Sequence, residues 1–280
     1  MIFIWVGLKN LTHFFLFYFK QTLINMNKYC IVTCIFNNYD YVREPLACSV
    51  DCDYYLFTDN KELTSENWNV IYLPEYDTDE LLGIQKTYKF KYSLYRYIPN
   101  LSNYDYIIRI DGSIQLKESL DEIIRQMREF KYDISVAIHP YRNDSIDEYK
   151  AWKEYRGLDK YFEEQYDKFM LKHYNNLLYI GLCENTVQIY KCTKDVFNLL
   201  DDCYAVIDHY NEFKDLNDQC YFTDILCGYS DKLRIHYHTC ELYIDGEYMC
   251  CYEHNTYDKR QDQHMNENFM FKKYVKVDNF

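Results

Sequence analysis

The chain has 280 residues, of which 48% are hydrophobic, and this is enough for one full α/β domain with a sizeable core. Its formal net charge of −13 argues against a nucleic-acid partner, because no basic stripe is present to neutralise phosphates. Only 7 Gly and 4 Pro occur, which argues against a Gly-rich phosphate loop and a disordered Pro-rich tail.

Residues 1–25 differ in pattern from the rest of the chain. Two apolar runs are interrupted there by Lys9, Asn10 and His13, and neither run reaches the roughly 18 to 20 residues that a membrane span requires. We interpret residues 1–25 as an apolar extension, either an upstream start or a weak membrane anchor, and residues 26–280 as the domain. We expect a cytoplasmic location and leave open a membrane attachment through residues 1–25.

The 12 cysteines contain no C-x-x-C pair, which argues against a Cys-rich zinc site. Several of them lie inside apolar runs and are typical of small buried hydrophobic residues. Reduced thiols in a cytosolic compartment are therefore favoured over a disulfide framework.

Strand and helix patterns alternate along the chain. Apolar runs at 29–36, 53–57 and 68–73 predict strands, and the pattern at 84–97 predicts a helix buried on most sides. A strand at 104–110 runs into Asp111, and a capping-box pattern at Ser119 and Glu122 begins the next helix. Strands follow at 134–138, 186–190 and 233–237, with helices at 194–209, 219–228 and the charged stretch 144–173, where we expect a lid or acceptor-side insertion. The alternation predicts a single α/β domain with a mainly parallel central sheet covered by helices.

Three predicted strands end in polar residues, and ligands of open α/β sheets bind at such ends. These ends are 37–40, 58–60 and 111–113. At the last of them, Asp111 followed by Gly112 suits Mg²⁺ or Mn²⁺ bound by a carboxylate together with substrate phosphates. The alternative is that Asp111 and Gly112 form a hairpin turn, and periodicity alone favours the turn.

Three further side chains have a functional and an ordinary interpretation. Arg142 could clamp a phosphate, or it could be a loop arginine paired with Asp144 or Asp147. Glu184 could bind sugar hydroxyls or act as a base, or it could be a solvated strand end. Asp218 opens an apolar helix, where N-terminal stabilisation is its ordinary role.

Other catalytic signatures are weak or missing in the sequence. His236 and His238 alternate on one predicted strand and so share a face, but two histidines without a third ligand are weak evidence for a metal. His254 by itself is still weaker evidence for a metal site. There is no Ser nucleophile elbow, Gly-rich dinucleotide fingerprint, phosphate-cradling loop or H-E-x-x-H helix, which removes the common hydrolase, dehydrogenase, NTPase and zinc-protease interpretations.

Several short motifs keep one order over residues 28–238, and together they resemble a known family. They are the stretches 28–40 and 53–60, Ile110-Asp111-Gly112-Ser113-Ile114, His139-Pro140 with Arg142 and Asp147-Glu148, Gly181-Leu182 with Glu184-Asn185, and Asp218-Gln219 with Phe222. This set is similar to a glycosyltransferase-like family of plants and bacteria that was long described as a domain of unknown function.

The resemblance implies a GT-A-type fold, a nucleotide-sugar donor, a glycan, lipid or protein acceptor, and Mn²⁺ or Mg²⁺ as cofactor. It implies that Asp111 binds the metal, with His254 as a further ligand, and that Asp218 and Glu184 are the catalytic or sugar-site carboxylates. The implied donor-binding residues are Thr33, Phe36, Asp59, Lys91, Gly112 and Arg142. No nucleic-acid partner is expected, and no oligomeric state is predicted.

The sequence departs from the family pattern at several positions. Asn37 stands where the family has Gly, Ser113 where it has Asn, and Leu94-Tyr95 where it has Pro-His. A second metal carboxylate, usual two residues after Asp111, is replaced by Ser113. The resemblance makes a metal-assisted glycosyltransferase the leading hypothesis. The missing second carboxylate favours the first alternative, a non-catalytic glycan or nucleotide-sugar binding protein, and the other alternative is a structural protein with a Tyr-rich surface.

Overall fold

The computed structural model describes residues 28–49, 51–81, 83–156, 164, 181–209, 218–239 and 248–251. The proposed extension 1–25 lies outside these residues, as do His254 and most of the predicted insertion beyond residue 156. None of the helices in the described part is long and apolar enough to cross a membrane.

The described residues form nine strands and five α-helices. The strands are β1 (Lys28–Ile35), β2 (Cys52–Thr58), β3 (Asn69–Tyr72), β4 (Tyr104–Ile110), β5 (Ile114–Leu116), β6 (Ile134–Ile138), β7 (Cys183–Lys191), β8 (Ile235–His238) and β9 (Met249–Cys251). The helices are α1 (Gly83–Ser93), α2 (Asp121–Glu129), α3 (Ser145–Arg156), α4 (Lys194–His209) and α5 (Asp218–Cys227).

Seven strands build one mixed sheet in the order β3-β2-β1-β4-β7-β6-β8. The pairs β1–β2, β1–β4, β2–β3 and β6–β8 are parallel, whereas β7 is antiparallel to both β4 and β6. Six strands therefore run in one direction and only β7 opposes them. This confirms the predicted α/β class and the mainly parallel sheet.

The central strands are covered on both faces, which explains their continuous apolar sequences. One face of the sheet packs under α1, α4 and α5, and we call it the three-helix face. The other face packs under α2 and the small sheet formed by β5 and β9. In β1, Val32 points to the three-helix face and Ile31 to the opposite face, as the two-residue period of a strand requires.

Two predicted helix boundaries are wrong. The helix predicted over 84–97 ends at Ser93, whose hydroxyl donates to the Lys89 carbonyl at 2.7 Å. A 3-10 turn over Leu94–Arg96 follows it. The capping box does not form, because the Ser119 hydroxyl donates to Asp121 and the Glu122 carboxylate accepts from Arg125. The helix α2 then begins at Asp121 without a side-chain cap.

Nine cysteines between Cys30 and Cys227 are free thiols, and six of them are buried. Cys30 and Cys34 lie in β1, and Cys183 begins β7. Their positions agree with the interpretation of these residues as small buried hydrophobic side chains.

Gly112 is required by a close approach between two loops. A Cβ atom there would lie 2.9 Å from Oδ2 of Asp40, 3.2 Å from its Cβ and 3.3 Å from the carbonyl oxygen of Cys34. Asp40 is itself buried. The turn after β1 and the turn after β4 therefore touch at Gly112.

We expect Gly112→Ala to lower the free energy of unfolding by about 1–3 kcal/mol, because the added methyl group overpacks this contact. Urea unfolding of both proteins measures the difference. Gly83→Ala is the matched control, since a Cβ there has only ordinary contacts at 3.4 Å and beyond, and it should change stability little. Equal unfolding midpoints for wild type and Gly112→Ala would contradict the overpacking argument.

Candidate functional site

The strand order reverses between β1 and β4. From β1 the chain adds β2 and β3 on one side, whereas β4 lies on the other side of β1 and continues towards β7. In open α/β sheets, ligands bind in the crevice that such a reversal opens at the carboxyl ends of the strands. Asn37 follows β1 and Asp111 follows β4, so both stand at this crevice.

The turn after β1 is formed by two asparagines with left-handed backbone. Asn37 has φ 52° and Asn38 has φ 54°, and the Tyr39 amide donates to the Phe36 carbonyl at 3.1 Å. Two successive positive φ angles define a type I′ turn, in which Asn is well tolerated. Asn37, which stands where the resembled family has Gly, is therefore compatible with the backbone at this position.

Asp59, predicted to bind the donor, is directed into the protein. Its carboxylate accepts from the Asn37 amide at 2.9 Å and from Nζ of Lys86 at 2.6 Å, and Lys86 also contacts the Asn37 side chain. The Lys86 side chain is 2% exposed and that of Asp59 is 7% exposed. This ion pair fixes the turn after β1 against α1, and Lys86 is a member of the site that the sequence analysis missed.

Thr33 and Phe36 also lie inside the protein. Phe36 stacks on Tyr76 with ring centroids 4.7 Å apart and is 1% exposed. The Thr33 hydroxyl is buried and has no hydrogen-bond partner in the described structure. Neither residue is presented to a ligand in this conformation.

Asp111 lies in a tight turn that does not close a hairpin. The Ile114 amide donates to the Asp111 carbonyl at 3.0 Å, but β4 and β5 belong to different sheets. The hairpin interpretation of Asp111-Gly112 is therefore wrong, although a tight turn is present. The Asp111 side chain is 26% exposed, which leaves part of its carboxylate accessible at the crevice.

Arg109 holds Asp111 from within the sheet. This arginine is 2% exposed, lies on β4 and donates to Oδ1 of Asp111 and to the carbonyl oxygen of Asn185. Burial opposes the charged guanidinium, but the Asp111 carboxylate and other nearby acidic groups outweigh this effect and raise the pKa of Arg109. Arg109 is not among the predicted site residues, although a charge inside an apolar strand is a signal that it must have a partner.

Lys91 and Asp218 form a second buried ion pair. Nζ of Lys91 lies 2.6 Å from Oδ2 of Asp218, which also accepts from the Tyr92 hydroxyl at 2.9 Å and from the Asn185 amide at 3.2 Å. The two charged side chains are 4% and 5% exposed. The structure thus brings together two predicted site residues, but it places both in the interior, where contact with a substrate requires the pair to open.

Glu184 lies at the start of β7 and is partly exposed. Its carboxylate accepts from the amide of Thr186 at 2.9 Å and from the Thr186 hydroxyl. The register of β7 against β6 shifts at this point. Glu184 is therefore a partly accessible carboxylate close to the strand segment that also contacts Arg109.

Arg142 pairs with Glu148 of α3 rather than with Asp144 or Asp147. The Arg142 side chain is 24% exposed and Glu148 is 1% exposed. His139 accepts the backbone amides of Tyr141 and Arg142, each at 3.1 Å, on Nδ1. Burial, reinforced by the positive charge of Arg142, lowers the pKa of His139 to about 4, so this imidazole is neutral at pH 7.

No group of three or more His, Cys, Asp or Glu is placed to hold a metal ion within the described ranges. His254 lies outside those ranges. His236 and His238 do share a face, with ring centroids 6.0 Å apart, but His236 contacts the Ser135 hydroxyl and His238 contacts the Thr239 carbonyl. A metal ion at Asp111 would therefore need ligands from the substrate as well.

Asp224 anchors the first residue of α3. One of its carboxylate oxygens accepts from the Ser145 hydroxyl at 2.7 Å, and the other has no partner in the described structure. Burial, together with the negative charge of Asp144, raises the pKa of Asp224 to about 6, against the lowering effect of the Ser145 hydrogen bond. The attachment of α3, and with it the Arg142–Glu148 pair, therefore depends on a titrating group.

We expect stability to fall as the pH rises through the pKa of Asp224. The folded-state pKa of about 6 exceeds the ordinary value of 3.8, so the protonated carboxyl stabilises the fold below about pH 4 and this contribution is lost above pH 6. A shift of this size corresponds to roughly 3 kcal/mol.

Asp224→Asn should keep the bond from Ser145 without titrating, so it should match wild type near pH 4 and be more stable at pH 7. Urea unfolding at both pH values measures the effect. Asp208→Asn is the control, because Asp208 is 61% exposed. Parallel pH profiles for wild type and Asp224→Asn would rule out this role.

No protein-family model matches the chain, and no curated protein matches it. What the crevice binds is therefore inferred from its own geometry and from the motif resemblance described above.

Proposed function

We propose that the protein is a glycosyltransferase with a GT-A-type fold, which transfers a sugar from a nucleotide-sugar donor to a glycan, lipid or protein acceptor. The observation that carries the proposal is the position of Asp111. Its partly exposed carboxylate stands at the carboxyl end of β4, where the strand order reverses. The ordered motif resemblance supports the same assignment.

The carboxylate of Asp111 is a suitable ligand for a divalent cation. Mg²⁺ and Mn²⁺ take oxygen ligands, and at nucleotide sites one or two protein carboxylates are commonly completed by substrate phosphates. Asp111 supplies one such carboxylate and the donor diphosphate would supply the rest. When bound, the cation would neutralise charge on the leaving diphosphate.

The proposed reaction breaks the bond between the anomeric carbon of the sugar and the oxygen of the diphosphate. A new bond forms from that carbon to an acceptor oxygen, and the proton of the acceptor hydroxyl passes to a base. Among the described carboxylates, Glu184 is our proposed base, because it is partly exposed and lies at the same edge of the sheet. The nucleoside diphosphate leaves as the second product.

The buried ion pairs have a supporting role in this proposal. Lys86 and Asp59 hold the turn after β1, and Lys91 and Asp218 hold α1 against the start of α5. Because these side chains are almost fully buried, we propose that they shape the donor site without touching the donor in this conformation.

A non-catalytic nucleotide-sugar binding protein is the second candidate. The observation in its favour is that both candidate catalytic carboxylates are engaged within the protein. Asp218 is 3% exposed and accepts three hydrogen bonds, and Glu184 accepts two from Thr186. Turnover separates this candidate from the enzyme.

We expect metal-dependent nucleotide release from at least one nucleotide sugar, and a loss of about 10²-fold or more in Asp111→Asn. Asparagine still accepts from Arg109 but leaves this buried arginine without its counter-charge, so the loss is read only on protein that circular dichroism shows to be folded at the assay temperature. The measurement is nucleotide release from a donor panel with Mn²⁺ or Mg²⁺.

Asp105→Asn is the matched control, because Asp105 faces Arg128 at the opposite end of β4. It should keep wild-type activity. Donor binding without release would support the binding protein, and neither binding nor release would reject both candidates.

We expect Mn²⁺ to bind weakly alone and at least about tenfold more tightly with inorganic pyrophosphate. The reason is that Arg109 already compensates one oxygen of Asp111, so the cation needs the negative charge of the diphosphate. Calorimetric titration of the protein with Mn²⁺ alone and with the preformed Mn²⁺–pyrophosphate complex measures both affinities. Equal affinities with and without pyrophosphate would contradict a one-carboxylate site.

A further inference from the structure

Arg109 occupies a position where a charge is costly. It lies in β4, between β1 and β7 at the centre of the sheet, and its side chain faces the interior on the three-helix side near Asp218 and Tyr190. Its neighbours along the strand, Ile108 and Ile110, are fully buried. An arginine in such a position is retained in a fold only when its hydrogen-bonding groups are matched by acceptors.

The guanidinium of Arg109 joins the crevice residue to the neighbouring strand. One terminal nitrogen donates to Oδ1 of Asp111, and the other donates to the carbonyl oxygen of Asn185, with the Thr186 carbonyl 3.5 Å away. The Asp111 amide donates to that same Thr186 carbonyl at 3.0 Å. Both the backbone and the carboxylate of Asp111 are thus tied to one short segment of β7.

That segment is a bulge. Adjacent residues Val136 and Ala137 of β6 pair with Gln188 and Glu184 of β7, so residues 185–187 have no partners in β6. Bulges redirect the chain next to active sites. Here the unpaired segment supplies the two carbonyl oxygens that face Arg109.

Asn185 extends the connection to the second ion pair. Its backbone carbonyl accepts from Arg109, while its side-chain amide donates to Oδ2 of Asp218 at 3.2 Å and lies 3.3 Å from the Tyr92 hydroxyl. The side-chain oxygen of Asn185 accepts from Gln188 at 3.1 Å. One residue therefore connects the carboxylate at the crevice with the buried Lys91–Asp218 pair.

We infer that Arg109 is a positioning residue of the proposed donor site, with Asn185 as its link to the interior. Arg109 turns one oxygen of Asp111 inward and holds the carboxylate in a single orientation, and that orientation sets the affinity for a cation bound to a diphosphate. The inference rests on the proposed function, because it assigns Arg109 a task only if Asp111 binds such a complex.

The test measures the affinity for Mn²⁺ with inorganic pyrophosphate in Arg109→Lys and Arg109→Gln. Lysine keeps the charge but cannot bridge Asp111 and the β7 carbonyls as a planar fork does. We expect Arg109→Lys, which keeps the charge that compensates Asp111, to lose 10- to 100-fold in affinity, the usual effect of removing a residue that orients a metal ligand. Arg109→Gln also frees the charge of Asp111 for the cation, and we expect it to lose less than Arg109→Lys.

Arg128→Lys is the matched control, because Arg128 faces Asp105 at the other end of the same strand. It should bind as wild type does. Affinity is measured on folded protein well below each melting temperature, so a purely structural role would leave it unchanged. The electron paramagnetic resonance spectrum of bound Mn²⁺ should also differ between wild type and the Arg109 variants.

Asn185→Ala decides the matter if the Arg109 variants do not fold. It keeps the backbone carbonyl and removes the side-chain link, and we expect it to weaken Mn²⁺–pyrophosphate binding severalfold. Wild-type affinity in every variant that folds would overturn the inference. The proposed function is tested separately. It stands if wild type binds Mn²⁺–pyrophosphate and Asp111→Asn does not, and it is rejected if wild type does not bind this complex.

Discussion

The cost of burying charge governs the arrangement beneath the crevice. Three cations are almost completely removed from water there, and each is paired with one aspartate: Lys86 with Asp59, Lys91 with Asp218, and Arg109 with Asp111. An unpaired charge at such depth costs several kcal/mol, so each pair forces two elements of the fold into register. The turn after β1, the helix α1, the strand β4 and the start of α5 are all located by these pairs.

The same pairs divide the predicted site residues into two groups. Among the members of these three pairs, Asp59, Lys91 and Asp218 are buried, whereas Asp111 keeps one side towards solvent while the other is bound to Arg109. A site built in this way has charge-balanced ion pairs beneath it, and the partly compensated carboxylate of Asp111 and the partly exposed Glu184 at its surface. Such a surface favours a negatively charged ligand that binds together with a cation. A nucleotide-sugar diphosphate with its divalent cation is a ligand of this kind, and for this reason we propose it as the donor.

Much of the fold could be predicted because the central strands are buried on both faces and read as continuous apolar runs. The strands β4 and β6 and the helix α4 have the predicted bounds. The small sheet could not be predicted, since β5 and β9 have three residues each and pair across more than a hundred residues of sequence.

The candidate site was predicted as a set of residue types at strand ends, but how deeply each side chain is buried could not be predicted. Lysines of an amphipathic pattern are assigned to solvent by default, and only the three-dimensional structure places Lys86 and Lys91 against aspartates.

The pairing of β5 with β9 has a consequence for the order in which the protein can be completed. The last strand of the large sheet ends at His238, but β5, which begins three residues after Asp111, obtains its partner only from Met249–Cys251. The Lys117 amide likewise donates to the carbonyl of Tyr248, so this hydrogen bond cannot form before residue 248 has been synthesised. During synthesis on the ribosome, the seven-stranded sheet can therefore close while the segment next to Asp111 still has an open edge. The surroundings of the proposed site are finished only when the chain has grown past residue 251.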